Sequence, residues 1–460
     1  MRAAIVLVLV VLVAALLGGA IFLKPRFESE PPQIRLSSDA DVLGLSPLEI
    51  HVSDPTGLRS VTATLSQNGA EKALGSEQFA QGVRESKLTV QLSKVTGIAE
   101  GPAVLKVTAR DASLWHWGAG NEAVLEKKLT IDVTPPVVEL VADDRYINFG
   151  GVGAIVFKSS PDTQKAGVKA GDHWFPAFQG VVKDHPDYYF ALFSHAYDVQ
   201  PTDRAAILAT DKAGNTREMR LGYELKNVRY KKSTIAVSDN FFQNKVVPLL
   251  KDISKRTGSV KDVFIAVDKG VRKENEDKIA QVTGKATPKM LWDGGAFAQL
   301  SNSKVEANFA DARTYTYNGE PIDTAFHLGY DLSVTKHYPI EAANSGVVAF
   351  TGDLGLYGNA VILDHGLGLF TLYGHMSQVD VKVGDSVAKR GIIGRTGETG
   401  FAGGDHLHFG VYLDGVAVLP VEWWDPKWIA DNVTPKLEGR GGEEIAEAQR
   451  PSRVAHRKRR

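Results

Sequence analysis

One pattern fills most of this 460-residue chain: short runs of alternating apolar and polar residues, each closed by a turn signal. Leu48-Glu49-Ile50-His51-Val52, Val61-Thr62-Ala63-Thr64-Leu65 and Val104 to Ala109 are examples. In a strand, neighbouring side chains point to opposite faces, so such a run buries one face and wets the other. Turn signals every 8–12 residues over about 33–134 predict an antiparallel β-sandwich. Thr134-Pro135-Pro136 marks a boundary, and a second β-rich stretch runs from 135 to 232. Residues 236–299 change character. Phe241 to Ile253 and Asn275 to Val282 have helical spacing and predict a helical connector. Strand runs and glycine turns return over 300–431, and residues 432–460 read as a disordered basic tail. The predicted architecture is therefore mainly β.

The two β stretches share a weak internal repeat. Val107-Thr108-Ala109-Arg110-Asp111 precedes Gly120-Asn121, and Ile207-Leu208-Ala209-Thr210-Asp211 precedes Gly214-Asn215. A strand, an Asp and a Gly-Asn turn read as a β-hairpin. The pattern resembles the end of bacterial immunoglobulin-like modules, which implies two such modules acting as spacers or binders. His173, His185 and His195, near Trp174, Tyr188 and Tyr189, are either a carbohydrate-contact surface or, as the commoner case, aromatic core and surface histidines.

At the N-terminus, Ala3 to Leu23 carry no charge and no proline. At about 1.5 Å per residue this run spans roughly the 30 Å hydrocarbon core of a bilayer. Residues 1–27 are expected to be an uncleaved transmembrane anchor, with a cleaved signal peptide as the alternative. Either reading exports the rest. The expectation is a single-pass inner-membrane protein whose domains lie in the periplasm or on the extracytoplasmic face.

Composition then restricts the chemistry. Lys plus Arg total 53 and Asp plus Glu 54, so the net charge of −1 lacks the basicity of a nucleic-acid binder. The balance is a cancellation: residues 301–431 hold 8 Lys/Arg and 16 Asp/Glu, and the flanks are basic. Cysteine is absent, which excludes disulfides, thiol nucleophiles and thiolate metal sites. A metal would have to be held by His and carboxylate.

Six of the 12 histidines lie between 327 and 408. His327-Leu-Gly-Tyr-Asp331 and His406-Leu-His408 are each weak motifs alone, and together with His375 they form a cluster. His406 and His408 are two apart in a strand-like run, so both imidazoles project to one face. Two neutral imidazoles and one carboxylate would leave a divalent ion a net +1, still able to polarise water and a carbonyl. Two further histidines would be free for proton transfer and oxyanion stabilisation.

At these residues the chain resembles the lysostaphin/LytM-type zinc metallopeptidases of peptidoglycan. The matching segments are His327 to Asp331, Gly346-Val-Val348, Asn359 to Gly366, Thr371 to Met376, Val383-Gly-Asp385, Gly391 to Gly400 and His406 to Phe409. The resemblance covers about 300–425. It implies a small antiparallel β domain with a groove over zinc, His327, Asp331 and His408 as zinc ligands, and His375 and His406 as the catalytic pair. It also implies cleavage of peptidoglycan stem-peptide cross-links, with a cell-division or wall-synthesis protein as a further partner. A non-catalytic activator or scaffold of another wall hydrolase is the alternative, and intact ligand positions argue against it. Tyr373 either lines the groove or packs. Asp405 departs from the family's approach to the final His-x-His, and its expected effect is either to lower access for the substrate backbone or to raise the His406 pKa through its charge. Phe309-Ala-Asp-Ala-Arg313 matches the family's entry segment only weakly. His365 reads as a structural turn residue and His337 as a surface residue.

Overall fold

The computed structural model describes residues 27–440 except 39, 40, 93, 94, 96, 227 and 228. The fold is mainly β, as the alternation predicts. Two compact units make it up. The first comprises residues up to Pro136 with Asp162–Gln164 and Thr210–Thr216. It holds a three-stranded sheet of Gln33–Leu36, Leu48–Ser53 and Glu85–Val90. Its five-stranded sheet is ordered Val42–Leu43, Glu122–Ile131, Gly101–Asp111, Leu58–Gln67, Ala70–Gln78. Period-two burial is plain in Gly101–Asp111, where Ala103, Leu105, Val107, Ala109 and Asp111 all point inward. Ile50, Val52, Val61, Leu65 and Leu105 meet in one core, each such side chain contributing about 1.5–3 kcal/mol by leaving water.

The second unit takes in Val137–Pro161, Lys165–Ala209 and everything after Arg217. Strand Val152–Ser159 lies between Tyr189–Ser194 and Val138–Ala142, and the first two are buried on both faces. The expected helical stretch is present, as short turns from Asp239 to Arg256, then Val260–Ile265 and Arg272–Thr283. Ser259 and Asp262 form a capping box that starts the Val260 helix. Before these helices, Lys232–Ala236 adds in parallel to the edge of the hairpin Asp311–Tyr317/Glu320–His327.

An eight-stranded sheet forms the centre of the C-terminal part. Its order is Lys304–Ala307, Tyr330–Ser333, Leu407–Leu413, Leu369–Met376, Asn359–Gly366, Gly346–Asp353, Ser386–Val387, with Val416–Val418 on the free end of Leu407–Leu413. Asn359–Gly366, Leu369–Met376 and Leu407–Leu413 are buried almost throughout. Such strands are enclosed on both faces, so their side chains hold rigid positions.

Residues 432–440, placed in the tail by composition, are folded. Thr434–Leu437 is a helical turn, and Lys436 is fully buried with its Nζ 2.5 Å from Asp144 Oδ1. The basic residues Arg450 to Arg460 lie outside the described residues.

The expected inner-membrane location is corrected. Among the described residues no helix is long and apolar enough to cross a membrane. The run Ala3 to Leu23, which carried that expectation, lies outside the described residues.

Candidate metal centre

Register builds the centre of the site. Tyr330–Ser333 pairs antiparallel with Leu407–Leu413 so that Asp331 stands opposite His408. Leu369–Met376 flanks the other side, with Gly374 opposite His408 and His375 one residue further. His327 ends the neighbouring hairpin strand, paired with Asp311. Leu328-Gly329 then carries the chain into Tyr330–Ser333. Only glycine fits at 329, because a Cβ there would lie 2.6 Å from His408 Nε2 and 2.6 Å from the Phe409 carbonyl oxygen.

Three donor atoms converge. His327 Nε2 lies 2.9 Å from Asp331 Oδ1 and 3.1 Å from His408 Nδ1, and His408 Nδ1 lies 3.1 Å from Asp331 Oδ1. The triangle is close to the edge of a tetrahedral zinc site, about 3.3 Å for metal–ligand bonds of about 2.0 Å. The tautomers agree. The Asn308 carbonyl, 2.9 Å from His327 Nδ1, can only accept, so Nδ1 carries the proton and Nε2 presents a lone pair to the cluster. His408, facing the cluster through Nδ1, keeps its proton on Nε2, which is buried without a hydrogen-bond partner among the described residues. Lone pairs from three groups meeting at one point suit a divalent cation.

Charge reinforces the arrangement. Burial would raise the Asp331 pKa, but His327 and its hydrogen-bonded neighbours His406 and His408 outweigh it and hold the carboxyl well below its usual range. Arg313 Nη2 donates to the second oxygen, Asp331 Oδ2, at 3.1 Å. Burial, opposed by Asp331, pushes His408 down to about 4, so its ring stays neutral and able to ligate.

The other two histidines stand beside the triangle. His375 and His406 have ring centroids 4.7 Å apart, and His375 and His408 are 5.9 Å apart. His375 Nδ1 donates to the Thr399 carbonyl at 2.8 Å and His406 Nδ1 to the Gly404 carbonyl at 2.8 Å, which leaves Nε2 as the reactive nitrogen of each. His406 Nε2 lies 3.5 Å from Asp331 Oδ1. Burial, with the neighbouring His406 and His408, holds the His375 pKa well below its usual value. For His406 burial acts downward too, but the Asp331 hydrogen bond and charge prevail and raise it.

A cavity of about 430 Å³ opens over these side chains. Ile235 from Lys232–Ala236 and Val237, Ser238 and Phe241 just after it form one wall, with Phe401, Tyr357 and Arg313 around the rest.

The structure thus brings His327, Asp331, His375, His406 and His408 together. The other residues singled out from the sequence stand apart from this cluster. Asp405 accepts from the His337 backbone N–H at 3.1 Å, and the upward shift of His406 comes from Asp331. Tyr373 is packed: its hydroxyl accepts from the Ala343 N–H at 2.7 Å and its ring meets Phe409. His365 is fully buried between the Ser345 carbonyl and Thr371, and burial drops it to about 4. His337 is exposed. His195 is buried against Tyr223 and the Gln200 carbonyl, His173 pairs with Asp198, and His185 stacks on Tyr188, so the three share no surface. Arg313 and the three carbonyl acceptors escape sequence reading; only the weak match around Phe309–Arg313 points toward the first.

Two neutral imidazoles and a carboxylate, with two more imidazoles beside them in a cavity, are a donor set suited to one divalent metal ion. Residues 325–420 match the model for Peptidase family M23, and this segment is an M23 peptidase domain. DD-carboxypeptidase/endopeptidase Mpg of Neisseria meningitidis is 39% identical over 95 residues, 21% of this chain and 22% of that protein. Peptidoglycan DD-endopeptidase ShyA of Vibrio cholerae is 31% identical over 115 residues, 25% of this chain and 26% of that one. The chain therefore spans about a quarter of the length of these curated relatives. The catalytic domain of lysostaphin from Staphylococcus simulans is 30% identical and aligns with 27% of this chain and 92% of its own, at a TM-score of 0.23.

Proposed function

We propose that this protein is a zinc-dependent endopeptidase that hydrolyses peptide cross-links of peptidoglycan. One observation carries the reading: His327 Nε2, Asp331 Oδ1 and His408 Nδ1 converge within 2.9–3.1 Å under a cavity of the M23 domain. In it these three residues hold the metal. When bound, zinc supplies a Lewis acid and an acidified water. The rest is done by the chain. His375, kept uncharged by burial, offers Nε2 to take a proton from the attacking water. His406, kept protonated more readily by Asp331, offers Nε2–H to the oxyanion that forms on the scissile carbonyl. A pair of imidazoles pushed in opposite directions suits an acid–base division of labour. The N-terminal unit is read as an immunoglobulin-like β-sandwich and the second β stretch as a similar module, serving as spacers or binders.

The test is to incubate purified peptidoglycan with the zinc-loaded full chain and follow the fragments by mass spectrometry. Loss of cross-linked fragments with a matching gain of un-cross-linked ones, stopped by a chelator and by His375→Ala, supports the reading. Intact cross-links in every condition would remove it.

A further inference from the structure

The sequence repeat leads to a second kind of site, independent of the peptidase reading. Alternation along Gly101–Asp111 leaves Asp111 as the last inward-facing residue, with 0% of its surface exposed. An inward carboxylate requires partners. Asp111 Oδ1 accepts from the Asn121 N–H at 2.7 Å and the Ser113 N–H at 3.0 Å, and Oδ2 accepts from Asn121 Nδ2 at 2.7 Å. These donors are neutral and leave its charge uncompensated. Asn121 Nδ2 and Ser113 Oγ also donate to the Glu28 carbonyl, at 2.8 and 2.7 Å, which ties the Glu28 backbone to this turn.

Asp54 completes the group. One oxygen from each of Glu28, Asp54 and Asp111 lies within 4.8 Å of the others. Asp54 is 3% exposed, and its Oδ1 is saturated by the Thr56 N–H (2.8 Å), the Thr56 hydroxyl (2.5 Å) and the Gly57 N–H (3.0 Å). Its Oδ2 is buried with no hydrogen-bond partner among the described residues. With Oδ1 committed to the turn, Oδ2 is the Asp54 atom left without a donor and able to take a ligand. No Lys or Arg pairs with any of the three among the described residues.

The motif builds the same arrangement twice. Asp211 accepts from the Asn215 N–H at 2.9 Å and from Asn215 Nδ2 at 3.0 Å, and Asn215 Nδ2 donates to the Asp132 carbonyl at 2.9 Å. Asp132, Asp162 and Asp211 again bring three oxygens within 4.8 Å. The orphaned oxygen of Asp54 distinguishes the first copy.

We propose that Glu28, Asp54 and Asp111 hold a calcium ion. The donors are all oxygen and mostly anionic, which favours a hard cation. Calcium accepts the irregular, carboxylate-rich shells that magnesium, with its strict octahedron, does not. The ion would offset most of the charge of the three carboxylates and pin the segment at Glu28 to the rest of the first unit.

Calorimetric titration of the full chain with calcium chloride tests this, comparing wild type with Asp54→Asn. Asparagine keeps the Oδ1 that serves Thr56 and Gly57, and its amide can donate to Glu28 and Asp111. The variant is therefore expected to melt in EDTA at or above the wild-type temperature. Wild type is expected to bind calcium with a Kd of about 0.1–1 mM, the range of extracellular modules. Asp54→Asn is expected to bind one equivalent fewer, or at least about tenfold more weakly, and to lose the matching calcium-induced rise in melting temperature. Glu28→Gln, at the half-buried rim, is expected to weaken binding in the same sense. Absence of calcium binding by wild type at about 10 mM, or equal binding by wild type and Asp54→Asn, overturns the proposal.

Discussion

Asp331 and His408 face each other across two antiparallel strands, with Asp331 Oδ1 3.1 Å from His408 Nδ1. One cross-strand pair thus supplies two of the three converging donors, and the buried strands on either side prevent it from drifting. The pair's support is the place to test whether the site is preorganised.

Gly329 is the tightest part of that support. Gly329→Ala puts a methyl group 2.6 Å from the His408 ring and from the Phe409 carbonyl. The expected cost is about 1–3 kcal/mol of stability from overpacking. Zinc affinity should fall with it as His408 is displaced. Thermal unfolding and competition with a zinc chelator measure the two effects.

Arg313 acts through Asp331 as a positioning residue, bonding Oδ2 while Oδ1 faces the histidines. Arg313→Met keeps most of the stem and removes the charge. Loss of such an outer partner is expected to cost about 10–100-fold in zinc affinity or kcat/KM. Partial rescue by Arg313→Lys would mark charge as the operative property, because lysine restores the charge without the planar fork. Kinetics at limiting and at saturating zinc separate affinity from turnover.

Lys436 and Asp144 form an ion pair inside the second unit, at 0% and 7% exposure. Lys436→Met leaves Asp144 buried without its cation and is expected to destabilise that unit by about 3–5 kcal/mol. Lys436→Met with Asp144→Leu is expected to recover most of the loss, because removing both charges also removes the desolvation cost. Urea unfolding of the full chain reads both.

Glu422 gives a pH dependence. Burial, only partly offset by hydrogen bonds from Asn148 and Val152, lifts its pKa from 4.5 to about 8. The native state therefore keeps a proton that the unfolded state releases above pH 4.5. Stability from this group is full below the unfolded value and falls as pH rises toward about 8, by up to about 1.4 kcal/mol per pH unit. Melting temperatures of wild type should decline across that window, and Glu422→Gln should flatten the slope even where its lost acceptor lowers the absolute value.

The site was legible in the sequence where chemistry follows spacing. His408 lies in Leu407–Leu413 and His406 just before it, bridged to Gly397, and the spacing of two brings both rings to Asp331 Oδ1; His327 and Asp331 bracket a glycine that the close approach to His408 requires. What spacing does not encode was hidden. Arg313 reaches Asp331 through the pairing of separate strands, and the Asn308, Thr399 and Gly404 carbonyls that fix the ring tautomers have no side-chain signature. The cavity wall from Ile235 to Phe241 depends on a parallel strand joining a hairpin edge, a tertiary event. Composition also misplaced residues 432–440, since a buried lysine looks like any other until Asp144 is found beside it. Alternation, by contrast, read the β architecture directly, because one buried face per strand is written in the residue order.

In the proposed site five residues divide into three that hold zinc and two that do not. Zinc content of the dialysed full chain, measured by inductively coupled plasma mass spectrometry on five single alanine variants, tests it directly. Wild type, His375→Ala and His406→Ala are expected to hold about one zinc per chain, and His327→Ala, Asp331→Ala and His408→Ala to lose it almost completely, in keeping with three protein ligands per catalytic zinc. Retention of zinc by folded variants at 327, 331 and 408, or its loss from a folded His375→Ala, would overturn that division.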